Sequence, residues 1–200
     1  MKYFNNKQIS NFLPQLRIKS VYRYGLNSEL LKQFKKLKPG IVLDICHEEN
    51  LYKKIIPNKE YINLSISTEL KLDIKYNSNY FDTVIVTHIL EHFQDPQKAV
   101  NEIHRVLKKE GVCILSAPLI EHYHPNPKDY YRFTKDSLNY LFRNFRKVEI
   151  YHHGNKLQSI WQILNIGAIK IILNFFNPLI ACIKSKKTRV PCGFVVYAEK

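Results

Sequence analysis

The stretch from Phe81 to Pro118, FDTVIVTHILEHFQDPQKAVNEIHRVLKKEGVCILSAP, constrains the fold more than any other. It reads as strand, turn, helix, turn, strand. Val84, Ile85 and Val86 form a β-branched run suited to a strand buried on both faces. Asp95-Pro96 marks a helix start: Asp caps, and Pro suits the first helical position because its missing N–H has no partner there. Ala99, Ile103, Val106 and Leu107 follow at helical spacing, so one face packs on a sheet. Lys108 and Lys109 suit the negative end of the helix dipole. Gly111 is expected to stop the helix before a second apolar strand, Val112 to Ala117. Two parallel strands joined by a helix make a right-handed unit. Ligands of such sheets sit beyond the carboxyl ends of the strands. Thr87 to His92, and the residues after Pro118, are therefore expected at the mouth of a site.

The rest of the 200 residues suits a single domain around this unit. Residues 1–26 show no clear period and are expected as an arm or cap. Asn27 to Lys38 reads as a helix capped by Asn27 or Ser28, with Leu30, Leu31, Phe34 and Leu37 on one face. After the turn at Pro39-Gly40, Ile41 to Ile45 is the first strand. Tyr61 to Ser65, Leu70 to Ile74 and Lys147 to Tyr151 read as further strands, and Cys192 to Glu199 as the closing one. Thr134 caps a helix that buries Leu138, Leu141 and Phe142. Ile160 to Ile183 approaches the ~20 apolar residues of a membrane span. Asn165, Lys170, Asn174, Asn177 and Pro178 interrupt it, so two helices, an insertion over 156–185, fit better. With Lys184, Lys186, Lys187 and Arg189 following, two readings stay open: peripheral membrane contact through 157–189, or a buried insertion with a solvated basic turn.

The same residues resemble the second half of a class I S-adenosylmethionine-dependent methyltransferase of type 11. The usual form there is FD-x-V, LEH-x-x-D-P, E-I-x-RVLK-x-G-G, then a strand ending in Pro. The likeness continues through HYHPNPKDYYRFT, His122 to Thr134, a tail similar to one subgroup met beside glycan-assembly functions. The resemblance covers roughly Pro39 to Phe145. It implies an α/β fold: a Rossmann-like three-layer sandwich with a mostly parallel seven-stranded sheet and an antiparallel last strand. It also implies S-adenosylmethionine as cofactor, and methyl transfer to a small, anionic or glycan-related acceptor. It maps cofactor contacts onto Asp44, Cys46, His47, Ser65, Asp73, Thr87 and His88, with Glu91 and His92 at the pocket edge. Three departures accompany the likeness. Asp44 to Asn50 contains no glycine where the family carries a Gly-rich loop. Ser65 replaces an acid, and a hydroxyl bonds a ribose without charge assistance. The connection Lys75 to Tyr80 is short. They keep a second class open: a degenerate, non-catalytic member that binds a partner, glycan or membrane surface.

Methyl transfer is an in-line displacement, so positioning does most of the work. A base is needed only when the acceptor is a hydroxyl or a protonated amine. His92, His122, His124 and Asp129 are the candidates. A structural alternative stands beside them: Asp129 pairs with Arg132 and pins the loop, over Tyr130, Tyr131 and Phe133. Glu102 and Arg105 read as a surface pair, and His152-His153 as exposed. His88 to His92 spells H-x-x-E-H, a zinc-peptidase pattern. The flanking strand and helix leave too short a segment for a metal-site helix, so no metal is expected. The formal charge of +14 favours anionic partners, or reflects a chain rich in Lys, Asn and Ile throughout. No nucleic-acid motif is present, and nucleic acid is not an expected partner. Cys46, Cys113, Cys182 and Cys192 show no C-x-x-C spacing, which suits free thiols in a reducing compartment. The first ten residues lack an apolar signal core, so a cytoplasmic location is expected.

Overall fold

The computed structural model describes residues 21–46, 52–65, 72–164 and 190–200. Strand β3 (Phe81–Thr87) is buried along almost its whole length. Helix α2 (Pro96–Val106) starts as expected, with the Asp95 side chain accepting from the Lys98 N–H at 3.1 Å. It buries Ala99, Val100, Ile103 and Val106. The helix stops sooner than its periodicity suggests, because Leu107, Lys108 and Lys109 already belong to β4 (Leu107–Pro118). Leu107 pairs with Phe81 of β3, and the Lys108 ammonium grips both Asp82 oxygens at 2.8 and 2.9 Å. Sheet pairing outweighs the pull of the helix dipole. Gly111 lies within β4 and stops no helix; a side chain there would meet the Lys108 carbonyl at 2.8 Å.

Helix α1 (Val21–Phe34) already takes in residues ahead of the Asn27 expected to cap it. Leu26, Leu30 and Phe34 are fully buried, and Asn27 is no cap: it is buried and accepts from the Tyr52 hydroxyl at 3.2 Å. Strands β1 (Gly40–Cys46) and β2 (Asn58–Ser65) follow. The strand expected over 70–74 does not form where the chain is described, as Leu72, Asp73 and Ile74 are irregular. Side chains of α2 take the backbone groups that a neighbouring strand would need. Glu102 accepts from the Ile74 N–H at 3.2 Å, and Arg105 donates to its carbonyl at 2.9 Å. Glu102 and Arg105 also pair at 2.6 Å, as the sequence suggested.

Helix α3 (Lys135–Leu141) carries a reciprocal cap between Thr134 and Ser137. Next come β5 (Lys147–His153), α4 (Lys156–Ile163) capped by Asn155, and β6 (Gly193–Glu199). The described residues form a six-stranded sheet, not seven, in the order β2-β1-β3-β4-β6-β5. β1 to β4 run parallel, and β6 is antiparallel to both neighbours. One apolar layer sits between the sheet and α2 with α3, where Val86, Ile103, Leu115 and Phe142 meet. The other lies under α1, joining Leu30 and Phe34 to Val42, Ile85 and Ile114. The fold is the expected α/β three-layer sandwich. The apolar insertion lies outside the described residues except for α4. Among the described helices none is long and apolar enough to cross a membrane.

Candidate functional site

The parallel strands end side by side, with Cys46 opposite Ser65 and Thr87 opposite Ser116. Immediately past β3, His88 adopts a positive φ of 54°. That left-handed conformation costs a non-glycine residue about 1–3 kcal/mol. Its surroundings hold it there. The His88 N–H donates to the Ser116 carbonyl at 3.2 Å, and Nε2 lies 3.1 Å from the Tyr22 hydroxyl. Nδ1 stands 3.3 Å from a Glu91 carboxylate oxygen, an ion-pair distance without hydrogen-bond geometry. Glu91 is fully buried in a 3₁₀ turn (Leu90–His92). Burial drives its carboxyl up, and the His88 and His92 rings more than offset this, holding it below the usual glutamate range. The H-x-x-E-H residues thus share no helix: His88 faces Tyr22, and His92 Nδ1 donates to the Lys128 carbonyl at 2.9 Å.

Beyond this point opens a cleft of about 540 Å³. Tyr22, His88, His92, Glu121, His122 and His124 line it. Three of the four candidate bases therefore converge. Asp129 is the exception. Its carboxylate is almost wholly buried, takes a bidentate grip from Arg132 at 2.5 and 2.6 Å, and accepts from the His124 N–H at 3.3 Å. Burial pushes its carboxyl up, and Arg132 pulls it below the ordinary aspartate range. Arg132 also donates to the Glu121 and His122 carbonyls, so the pair ties the loop. Of the aromatic residues expected beneath that loop, Phe133 is buried, while Tyr130 and Tyr131 are half-exposed. His122 Nε2 meets the Gln162 carbonyl of α4 at 2.5 Å, and His124 Nδ1 the His122 carbonyl at 2.9 Å.

The residues mapped to the cofactor divide. Asp44 is fully buried; one oxygen accepts a short hydrogen bond from Tyr61, and the other has no hydrogen-bond partner among the described residues. Burial raises its pKa to about 6, against the opposing pull of Tyr61 and Cys46. Cys46 is buried and accepts from Asn63 at 3.3 Å. Ser65 is exposed and Thr87 buried, each at the end of its strand. Asp73 lines a separate hollow of about 650 Å³ against α2, with Phe93 and Arg105. His47 lies outside the described residues.

The sequence gives no sign of several groups here. Tyr22 fell in a stretch without periodicity, yet it is buried against His88 and edges onto the His153 ring at 5.0 Å. His153 is buried, contrary to expectation, because β5 runs on to pair it with Gly193 and strand alternation turns it inward. Burial holds its ring neutral, and neither nitrogen has a hydrogen bond among the described residues. The Ser116 hydroxyl is likewise buried and unpartnered; its one signal was a polar residue inside the apolar run CILSAP.

The family model described as a methyltransferase domain matches residues 12–115, just over half of the chain. The chain belongs to the methyltransferase-domain family. S-adenosylmethionine is the cofactor of that family, as the resemblance implied. No curated protein matches this family member by sequence. Solved structures match its fold. A SAM-dependent methyltransferase from Archaeoglobus fulgidus is 13% identical, with a TM-score of 0.51, over 96% of this chain and 99% of that one. A possible histamine N-methyltransferase from Thermotoga maritima is 16% identical, with a TM-score of 0.52, over 98% and 95%. Phosphoethanolamine N-methyltransferase 2 of Haemonchus contortus, in complex with S-adenosyl-L-methionine, is 13% identical, with a TM-score of 0.54, over 88% and 52%. At these identities the likeness shows the methyltransferase fold.

Proposed function

We propose that this methyltransferase-domain protein transfers a methyl group from S-adenosylmethionine to a small, anionic or glycan-related acceptor. The observation that carries this reading is the convergence of His88, His92, His122 and His124 on one cleft at the carboxyl ends of the strands. The strand ends fit the cofactor. Asp44 holds a fully buried carboxylate oxygen with no hydrogen bond among the described residues, and such groups are costly unless a donor meets them. An ammonium-bearing ligand supplies that donor. Asp44, Cys46, Ser65 and Thr87 would hold the cofactor, with His47 next in sequence after β1. Asp73 keeps the adenine end that the resemblance assigns to it. When bound, the cofactor supplies an electrophilic methyl group.

The protein's own part is to place the acceptor and take its proton. His92, His122 and His124 each have one ring nitrogen on a backbone carbonyl, which can only accept. In the neutral ring the proton sits on that nitrogen and the lone pair on the other: Nε2 of His92 and His124, Nδ1 of His122. His122, the most exposed of the three, is the base in this reading, and His92 with His124 orients the acceptor. Asp129 and Arg132 hold the loop that carries them. His88, locked by Tyr22 and Glu91, forms the wall between cofactor and acceptor. The net charge of +14 supports an anionic acceptor, and the similarity of the His122 to Thr134 tail supports a glycan-related one. The buried thiols of Cys113 and Cys192 support a cytoplasmic location. Exposed Leu157, Ile160, Ile163 and Leu164 support peripheral membrane contact through 157–189, tested by liposome flotation at low and high salt.

A second reading, a non-catalytic member of the family, is favoured by the missing glycines of Asp44 to Asn50 and by Ser65. Calorimetric titration with S-adenosylmethionine and its demethylated product separates the two. Micromolar binding, weakened by Asp44→Ala, supports the transferase. No binding up to millimolar cofactor by folded protein overturns it in favour of the second reading.

A further inference from the structure

Glu91 is the least served charged group at the site. Its side chain is fully buried, and neither oxygen meets full hydrogen-bond geometry among the described residues; His88 Nδ1 stands 3.3 Å from one of them. Buried carboxylates are otherwise paired, hydrogen-bonded or bound to metal. One ligand atom from each of Glu91, His92 and His124 lies within 4.8 Å of the other two. The two imidazoles stand edge to face, with centroids 5.0 Å apart. Each has Nδ1 on a backbone carbonyl at 2.9 Å, those of Lys128 and His122. That is how outer-shell carbonyls fix the tautomer of metal-bound histidines, with Nε2 as the ligand.

From this geometry we infer a divalent transition-metal site formed by Glu91, His92 and His124, whose open positions take oxygens of the acceptor. Two imidazoles and one carboxylate suit ions such as Zn²⁺, Co²⁺, Mn²⁺ or Fe²⁺ and leave coordination positions free. Ligand atoms at about 2.0–2.2 Å from such an ion stand roughly 3–4 Å apart, so the trio closes by a small shift. The partly exposed His124, on the loop after β4, is the member placed to make it. A carboxylate has two oxygens, so one can serve His88 while the other meets the ion. The site takes only Glu91 and His92 from the H-x-x-E-H run and draws its third ligand from the far loop.

The role of the ion deepens the methyl-transfer reading and rests on it. The acceptor class becomes one with chelating oxygens: vicinal hydroxyls, a carboxylate or a phosphate. A bound hydroxyl becomes more acidic. Its O–H bond breaks, the electron pair stays on oxygen, and the proton passes to His122 Nδ1.

The test uses untagged, chelator-stripped full-length protein titrated with Co²⁺ and followed by visible absorption. About one equivalent should bind with d–d bands, and Zn²⁺ should displace it. His92→Ala and His124→Ala should each weaken binding by roughly tenfold or more, with His152→Ala, on the exposed side of β5, unchanged. Glu91→Gln should behave like the histidine variants; if it fails to fold, those two decide. No saturable binding, or equal binding in the His92→Ala/His124→Ala double variant, overturns the site. Cofactor titration of the same metal-free protein keeps the outcomes apart. Cofactor binding without metal binding removes the metal site alone, and metal binding without cofactor binding removes the transferase reading and the role assigned to the ion.

Discussion

At the amino ends of the strands, charged side chains meet one another in the open; at the carboxyl ends, several polar groups are buried without a hydrogen bond among the described residues. The first group includes Lys108 with Asp82, Lys36 with Glu149, and Arg146 with Glu199. Lys200 closes the same edge on the His104 and Leu107 carbonyls. The second group holds one oxygen of Asp44, both of Glu91, the Ser116 hydroxyl and the His153 ring. Backbone strain does not divide this way, since Asn79 and Glu110 at the amino end share the left-handed region with His88 past β3. Buried polar groups are paired almost everywhere in proteins, so a cluster of exceptions at one end of a sheet marks where ligands belong. The amino end closes the fold, and the carboxyl end keeps its hydrogen-bonding capacity for something else.

The widest separation between the two ends should be functional. His122→Ala is expected to lower transfer of labelled methyl from S-adenosylmethionine by about 10²–10⁴-fold with cofactor affinity retained. Lys36→Ala, at the other end, should leave transfer unchanged. Equal losses in both would erase the distinction.

Asp44 offers the next largest effect. Its folded pKa of about 6 stands above the ordinary 3.8, so the folded protein holds the extra proton between those values. That contribution to stability is complete below pH 3.8 and is lost as pH rises through about 6. Each tenfold change in proton affinity is worth about 1.4 kcal/mol, so the free protein should lose on the order of 3 kcal/mol across this window. Asp44→Asn should flatten that slope, raise the melting temperature at pH 7 and weaken cofactor binding. Chemical denaturation at a series of pH values, beside calorimetry, reads all three.

Ser116→Ala sharpens the contrast further. Removing a buried, unpartnered hydroxyl should stabilise the protein by about 1 kcal/mol, whereas a truncation that stripped a paired group would destabilise it. A shift of the denaturation midpoint to lower denaturant would show that Ser116 has a partner in solution.

The smallest effect belongs to the amino end. Burial raises the Asp82 carboxyl, and Lys108 with the Ile41 N–H outweighs it, leaving the pKa below the usual value. Its contribution is therefore present above the unfolded pKa and lost as pH falls through the folded one. Because both partners are partly exposed, Asp82→Asn should cost less than about 1 kcal/mol at pH 7 and nothing in strong acid.

What was legible in the sequence was local. The β-branched run of β3, the Asp95 cap, the Thr134 cap and the alternation of β6 are written in neighbouring residues, and each formed. The His92, His122 and His124 cluster was legible because loops after parallel strands gather at one place. Misreadings came where distant groups competed for the backbone. Lys108 left the helix for Asp82, Ile74 gave its N–H and carbonyl to Glu102 and Arg105, and His153 was drawn inward by pairing with Gly193.

By itself, then, the chain's order of apolar and capping residues determined an α/β sandwich with a site past β3 and β4, because helix and strand periods act over a few residues. Only the tertiary structure decided which groups that site contains. Tyr22 reaches His88 across 66 positions, Glu91 loses its solvent, Asp129 is claimed by Arg132, and His124 comes to stand beside His92. Those outcomes depend on burial and on contacts between remote segments, which no local pattern encodes.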